Sequence, residues 1–339
     1  MSDGLNPLRL ECWRCSLADL PTYSGARHLT ADDLGIGVLA AAAAGHASSL
    51  PDAPVVQDDD PHVQEIVEQA QRYGGVILTG PPGTSKTYYA KAAAEIIVGG
   101  DEERRSYVQF HGSYQYEDFM IGFAPTKTGF VPKDGPFLRM VRAADKNRNE
   151  LYVLVIDELS RADVGRVFGE ALTYIERSKR EFRFNIANGE EIVVPSNLIV
   201  IATMNPFDRG VDEVDAAFER RFAKITMDPD PSVLAERLTE NGMDEGLKTR
   251  VIGWFRRINA MAERNPAASV GHAYLWAAYD EESLRSLWNY QLRYLVQRAF
   301  RRDDNMRVEM FAAWEQLFET STAEDAIVAA TEAEAEATS

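Results

Sequence analysis

Residues 80 to 87 read GPPGTSKT, which has the residue types and spacing of a loop that holds a phosphate. In the pattern G-x-x-x-x-G-K-[ST], backbone N–H groups surround a β-phosphate, the lysine reaches the β- and γ-phosphates, and the hydroxyl binds Mg2+. Gly80, Lys86 and Thr87 fit, Ser85 stands at the second glycine, and Pro81, Pro82, Gly83 and Thr84 complete the loop. A second stretch, LYVLVIDELSRAD, is an apolar run ending in Asp157 and Glu158. There Asp157 is placed to hold the water shell of a metal, and Glu158 to polarise an attacking water, which a dissociative phosphoryl transfer needs oriented more than deprotonated. A third, NLIVIATMN, ends in Asn205, whose amide can contact a γ-phosphate or the lytic water; taken alone it is equally a turn asparagine before Pro206. In a fourth, DAAFERRFAKITM, Arg220 and Arg221 sit between a helix and a strand. They either face the chain's own sheet edge or project toward the γ-phosphate of a neighbouring subunit.

These groups meet only if the right elements carry them. GVILTG, SYVQF, LYVLVID and NLIVIAT are apolar runs of strand length, separated by helical patterns. Uninterrupted apolar strands of this kind belong to a parallel sheet covered by helices on both faces. GVILTG enters the phosphate loop and SKTYYAKAAAEIIV leaves it, giving the strand, loop and helix setting the motif requires. Beyond Pro229 only helical stretches remain, over 233–240, 247–264 and 281–300. The expected organisation is therefore a short N-terminal segment and linker over 1–60, an α/β core over 61–229, a smaller all-α lid over 230–320, and an acidic low-complexity tail over 321–339. The N-terminal segment holds a helix candidate at 30–44, and SSLPDAPVVQDDDP reads as a linker.

The chain has 339 residues, 45% hydrophobic and 26% charged, enough for one large domain and a smaller one. Its 36 basic residues against 53 acidic ones give a net charge of -17, so its long-range field repels nucleic acid. Any contact with DNA is expected to be local or through a partner. Cys12 and Cys15 have zinc-knuckle spacing, but they are the only cysteines, and a structural zinc site needs four ligands. Neither a leader nor a membrane span is evident, and a soluble cytoplasmic protein is expected. FHGSYQYEDF reads as core or subunit contact ahead of base stacking, because basic residues are missing around it. Trp276, Trp288 and Tyr294 read as lid core, and Arg301 with Arg302 as solvated surface.

From about Tyr73 to Phe300 the chain resembles the AAA+ superfamily, and within it the branch of McrB-type restriction NTPases and MoxR-type ATPases. SYQYEDFMIGF, KDGPFLRMVRAA, DELSRADVGRVFGEALTYIE, ATMNPFDRGVDEVDAAFERRFAKI and SVGHAYL have counterparts there in the same order. MoxR-type loops often carry alanine where Ser85 stands, so the resemblance implies a working loop. It also implies roles for single residues. Lys86 matches the phosphate lysine and Thr87 the metal-binding hydroxyl; Asp157 matches the metal-binding carboxylate and Glu158 the catalytic one. Asn205 matches the first sensor, Arg220 and Arg221 the inter-subunit arginines, and Arg161 the arginine of E-x-N-R-A, whose asparagine is Ser160 here. His272 matches a lid motif, with a capping role equally open. Residues 181 to 195 form a hairpin by pattern around ANGE, and in this branch such a hairpin can face the pore of a ring.

The resemblance implies an oligomeric, ring-forming Mg2+-dependent NTPase that assembles with nucleotide and uses ATP ahead of GTP. In its McrB-like form it is a motor subunit that works with a separate nuclease or effector subunit in defence against foreign DNA. Only about 60 residues precede the core, with too few strands and too little positive charge for a reader of modified DNA. A MoxR-like chaperone that remodels a protein complex is the alternative. A nucleotide-gated scaffold is a third possibility, disfavoured by the intact Glu158.

Overall fold

Asp60 closes the acidic stretch and opens the first helix of a computed structural model that describes residues 59–127, 129–206, 216–262 and 268–318. The helix candidate at 30–44, Cys12 and Cys15, most of the linker, residues 207–215 and the acidic tail lie outside the described residues. The Asp60 carboxylate accepts the His62 and Val63 N–H groups, and Pro61 occupies the first turn, where its missing donor costs nothing. This helix, Pro61–Tyr73, ends at the left-handed Gly74, and the chain turns directly into β1 (Gly75–Thr79).

The strands follow as β2 (Arg105–Gln109), β3 (Ile121–Thr126), β4 (Gly129–Asp134), β5 (Tyr152–Asp157), β6 (Arg183–Asn185), β7 (Glu191–Val193), β8 (Leu198–Met204) and β9 (Ala223–Thr226). Five of them form one sheet in the order β2-β5-β8-β1-β9, and every pair in it is parallel. Period-two alternation divides the apolar residues between its faces. Val76, Leu78, Val153, Val155, Ile199 and Ile201 pack under the helices Pro61–Tyr73 and Lys86–Val98. On the other face Ile77, Leu154, Ile156 and Val200 pack with Phe137 and Phe168. The sheet is therefore buried on both sides, as its uninterrupted apolar strands require. All five strands run the same way, so the segments after β1, β5 and β8 emerge at one carboxyl edge.

Two hairpins decorate this core. β6 and β7 pair antiparallel within the expected 181–195 segment, with Gly189 at φ 84 in the turn. Arg180 anchors that segment from below: it is buried and donates to the carbonyls of Gly74, Ile175 and Leu198, at the amino ends of β1 and β8. Burial pushes its guanidinium down to about 10, so it stays cationic at neutral pH. The second hairpin, β3 with β4, was not anticipated, and it exposes Phe123 and Phe130. The aromatic stretch before it is packing: Phe110 and Phe119 are buried, and Tyr114 stacks on Phe110 at 4.8 Å.

Helices Pro231–Glu240, Glu245–Ala262, Glu281–Leu287 and Arg293–Ala299 follow, the last two joined through a π turn at Trp288–Leu292. The last helix among the described residues, Asp304–Glu315, lies beyond the stretches whose sequence pattern predicts a helix. Its Trp314 stacks on Trp288 at 4.7 Å and meets Trp254 edge-on at the same separation. This corrects the expectation for Tyr294, which is 56% exposed. The buried stripe runs Leu284, Trp288, Leu292, Leu295 and Val296; position 294 falls off it, and Trp314 supplies the aromatic mass instead. Trp276 is half-buried under the Arg237 guanidinium, while Arg301 and Arg302 are exposed. No helix among the described residues is long and apolar enough to cross a membrane.

Candidate active site

The phosphate loop leaves β1 at Gly80, whose φ is 148; a Cβ there would lie 2.3 Å from the Met227 carbonyl oxygen, so only glycine fits. The loop enters the helix Lys86–Val98, with Ser85 as its N-cap. An anion at that helix start would meet the positive end of the helix dipole. The Lys86 Nζ donates to the Gly80 and Pro81 carbonyls at 2.9 and 2.6 Å, which keeps the ammonium over the loop.

β8 lies between β1 and β5, and this decides how the carboxylates are held. Thr87 Oγ1 donates to Asp157 Oδ1 at 2.8 Å across 70 residues of sequence. Thr203, on β8, donates to the same Asp157 oxygen at 2.5 Å and accepts the Glu158 N–H at 3.3 Å. One hydroxyl thus orients both acidic residues. Sequence reasoning missed Thr203, and the only available signal was its position two residues before Asn205 on the strand that proved central. Glu158 has φ 57 and Ser85 φ 61, two of the three non-glycine residues with positive φ among the described residues. Strained backbone of this kind survives where its surroundings over-determine it, and both residues sit at this cleft.

The cleft has a volume of about 510 Å³ and is lined by Lys86, Thr87, Glu158, Arg161, Thr203 and Asn205 among others. Asn205 is buried at the tip of β8, and Arg161 Nε lies 3.3 Å from Glu158 Oε2. Ser160, at the asparagine position of the resemblance, is buried, and its hydroxyl has no hydrogen-bond partner among the described residues. One hydroxyl and one carboxylate make a donor set suited to Mg2+, which keeps several waters and takes its remaining ligands from substrate phosphates.

The two arginines part company. Arg220 is exposed, whereas the Arg221 side chain is 9% exposed, with the Glu176 carboxylate at 4.0 Å. Both precede β9, whose Ala223 pairs with Val76 near the start of β1. At about 3.3 Å per residue, that level lies roughly 10 Å below the end of β1, toward the amino edge of the sheet and away from the edge that carries the chain's own phosphate loop.

The lid contributes directly to the loop. Ser85 Oγ lies 3.0 Å from His272 Nε2, and the Ala273 N–H donates to the Gly83 carbonyl at 2.9 Å. His272 also accepts the N–H of Asp230, the N-cap of the first lid helix, at Nδ1, so the expected capping contact and the contact to the loop share one imidazole. His272 is 2% exposed, and burial holds its imidazole at about 4, below the ordinary 6.5, with Asp230 opposing in part. Between these values the unfolded chain takes up a proton that the folded lid refuses. The stability contributed by neutral His272 is thus present above pH 6.5 and lost as pH falls toward 4, by on the order of 3 kcal/mol. Thermal melts at pH 7.5, 6 and 5 are expected to show a falling Tm, and His272→Leu is expected to flatten that fall relative to the unsubstituted protein.

Residues 75–222 match the AAA domain of the dynein-related subfamily. Over 174 residues, 49% of its length, the chain is 37% identical to the type IV methyl-directed restriction enzyme EcoKMcrB subunit of Escherichia coli (strain K12). In an alignment of 190 positions that covers 43% of the chain, it is 28% identical to the type II restriction enzyme BsuMI component YdiS of Bacillus subtilis (strain 168). The matches span 38% of the first relative and 55% of the second. With a five-stranded parallel sheet, a phosphate loop after β1 and an acidic pair at the end of β5, residues 75–222 are similar in sequence to the AAA domain of the dynein-related subfamily and carry the α/β core expected of it.

Proposed function

We propose that this chain is the nucleotide-hydrolysing motor subunit of a McrB-like restriction system, acting as an oligomer on ATP ahead of GTP and working with a separate nuclease subunit. The observation that carries the hydrolytic part is the Thr87, Asp157 and Thr203 cluster, with Glu158 held beside it at the mouth of the phosphate loop. Lys86 and the loop N–H groups bind the β- and γ-phosphates, and Asn205 reaches the γ-phosphate or the water. Thr87 and Asp157 are the residues that would hold Mg2+, which when bound would neutralise charge on the phosphate oxygens. Glu158 orients the attacking water as the bond from the γ-phosphorus to the bridging oxygen breaks and the nucleoside diphosphate leaves; the new bond to the water oxygen forms, and its proton passes to Glu158 or to the released phosphate. Arg220, exposed and remote from its own loop, serves the γ-phosphate of a neighbouring subunit, so each complete site needs two chains. The restriction assignment rests on the two relatives, one named as a subunit and the other as a component of a restriction enzyme.

Steady-state phosphate release with Mg·ATP and Mg·GTP in parallel tests this reading. One nucleotide is expected to be turned over, with a loss of about a hundredfold or more in Lys86→Ala. Sedimentation with and without a slowly hydrolysed analogue is expected to show assembly on binding. An unchanged monomer that turns over neither nucleotide would end the motor reading.

A further inference from the structure

A glycine is the usual residue at the sixth position of this loop, and here the position is held by Ser85 at φ 61 and ψ 19. That is the left-handed region, unfavourable for a residue with a Cβ. The conformation is needed nonetheless, because an alternation of right- and left-handed residues makes a concave row of N–H groups that binds an anion. Something must hold the serine in it. The Ser85 side chain makes no capping bond to its own helix, and its hydroxyl instead meets His272 Nε2 at 3.0 Å.

The histidine is well placed to be the fixed end of this contact. Its Nδ1 accepts the Asp230 N–H at 3.3 Å, so in the neutral ring the proton is on Nε2 and points to Ser85 Oγ. Asp230 is itself the N-cap of the first lid helix, accepting the Ser232 and Val233 N–H groups. On the other side the turn at 271–273 is pressed against the loop: a Cβ added to Gly271 would lie 2.1 Å from the Gly83 carbonyl carbon. The Ala273 N–H bond to Gly83 completes the contact. Lid, junction and loop therefore meet at one buried imidazole.

We propose that His272 is a positioning residue whose hydrogen bond to Ser85 holds the phosphate loop in its binding conformation, supplying through the lid what a glycine would supply through backbone freedom. This rests on the phosphate-binding reading of residues 80–87. Its consequence is conditional: the histidine matters for nucleotide affinity only while residue 85 carries a Cβ. When the bond is lost the loop spends part of its time outside the binding conformation, and apparent affinity falls by that fraction.

The test is calorimetric binding of Mg·ATPγS, with Mg·GTPγS in parallel, to the full chain and its variants. His272→Leu, which keeps bulk but not the donor, is expected to weaken binding about five- to tenfold. Ser85→Ala, which keeps the Cβ and loses the hydroxyl, should do the same, and it stands in if the lid variant does not fold. His272→Gln retains an amide donor and should recover most of the affinity. Ser85→Gly alone should bind at least as tightly as the unsubstituted protein, and adding His272→Leu to it should change affinity by less than about twofold. The lost Asp230 contact is common to both backgrounds and cancels in the comparison. Equal losses from His272→Leu with and without Ser85→Gly would reduce the histidine to general lid packing and overturn the proposal, as would no loss in either. If the unsubstituted protein binds neither nucleotide, the phosphate-binding reading itself fails and takes this inference with it. Binding with additive losses removes the inference alone.

Discussion

Glu158→Gln is expected to lower steady-state phosphate release by about two to four orders of magnitude while leaving Mg·nucleotide bound. The substitution preserves volume and removes the charge, so it isolates the group that orients water. Glu158 directly follows the Asp157 that Thr87 and Thr203 fix, and its own N–H donates to Thr203. Its backbone is held at φ 57, a conformation a serviceable surface carboxylate would not need. Glutamine would keep that backbone and the cleft, and the Arg161 guanidinium, 3.3 Å from Glu158 Oε2, would lose only an exposed ion pair worth little to stability. Binding and chemistry are therefore expected to separate: Kd within about threefold of the unsubstituted protein, kcat near zero. Turnover that survives within a few-fold would assign the water to another residue.

Arg220→Ala is expected to cost about three to five orders of magnitude in turnover, the usual size of a missing arginine finger. Its diagnostic feature is rescue by mixing. An Arg220→Ala chain keeps an intact cleft and lacks a finger, and a Glu158→Gln chain keeps the finger and lacks the water-orienting carboxylate. Mixed in equal amounts, random closed assembly pairs a good cleft with a good finger at about a quarter of the interfaces, so activity should return to roughly that fraction. Neither variant alone would show it. Arg221→Ala removes a poorly paired, mostly buried charge and is expected to leave Tm within a few degrees of the unsubstituted protein. Its side chain is 9% exposed, and its Nε and Nη1 have no hydrogen-bond partner among the described residues beyond the ion pair at 4.0 Å to Glu176. No recovery on mixing would place Arg220 outside the neighbour's site.

The sequence by itself determined what depends on residues close together in the chain. The phosphate loop, the acidic strand end, the four apolar strands, the hairpin around Asn188 and Gly189 and three of the lid helices were all legible. Each is specified by local spacing, capping or turn chemistry, as Asp60 with Pro61 and Asp230 with Pro231 illustrate. The tertiary structure decided which local pieces touch. Thr203 acquired its role only because β8 lies between β1 and β5, a strand order that no period in the sequence records. Tyr294 lost its expected burial to Trp314, brought from another helix. Arg220 and Arg221, adjacent in the chain and alike in charge, were separated by which way each side chain leaves the turn before β9. The contact of Ser85 with His272 joins residues 187 positions apart, and neither half of it announces the other. Local signals are written in neighbouring residues, whereas long-range pairing is selected by how whole faces pack, and that selection is visible only once the chain has folded.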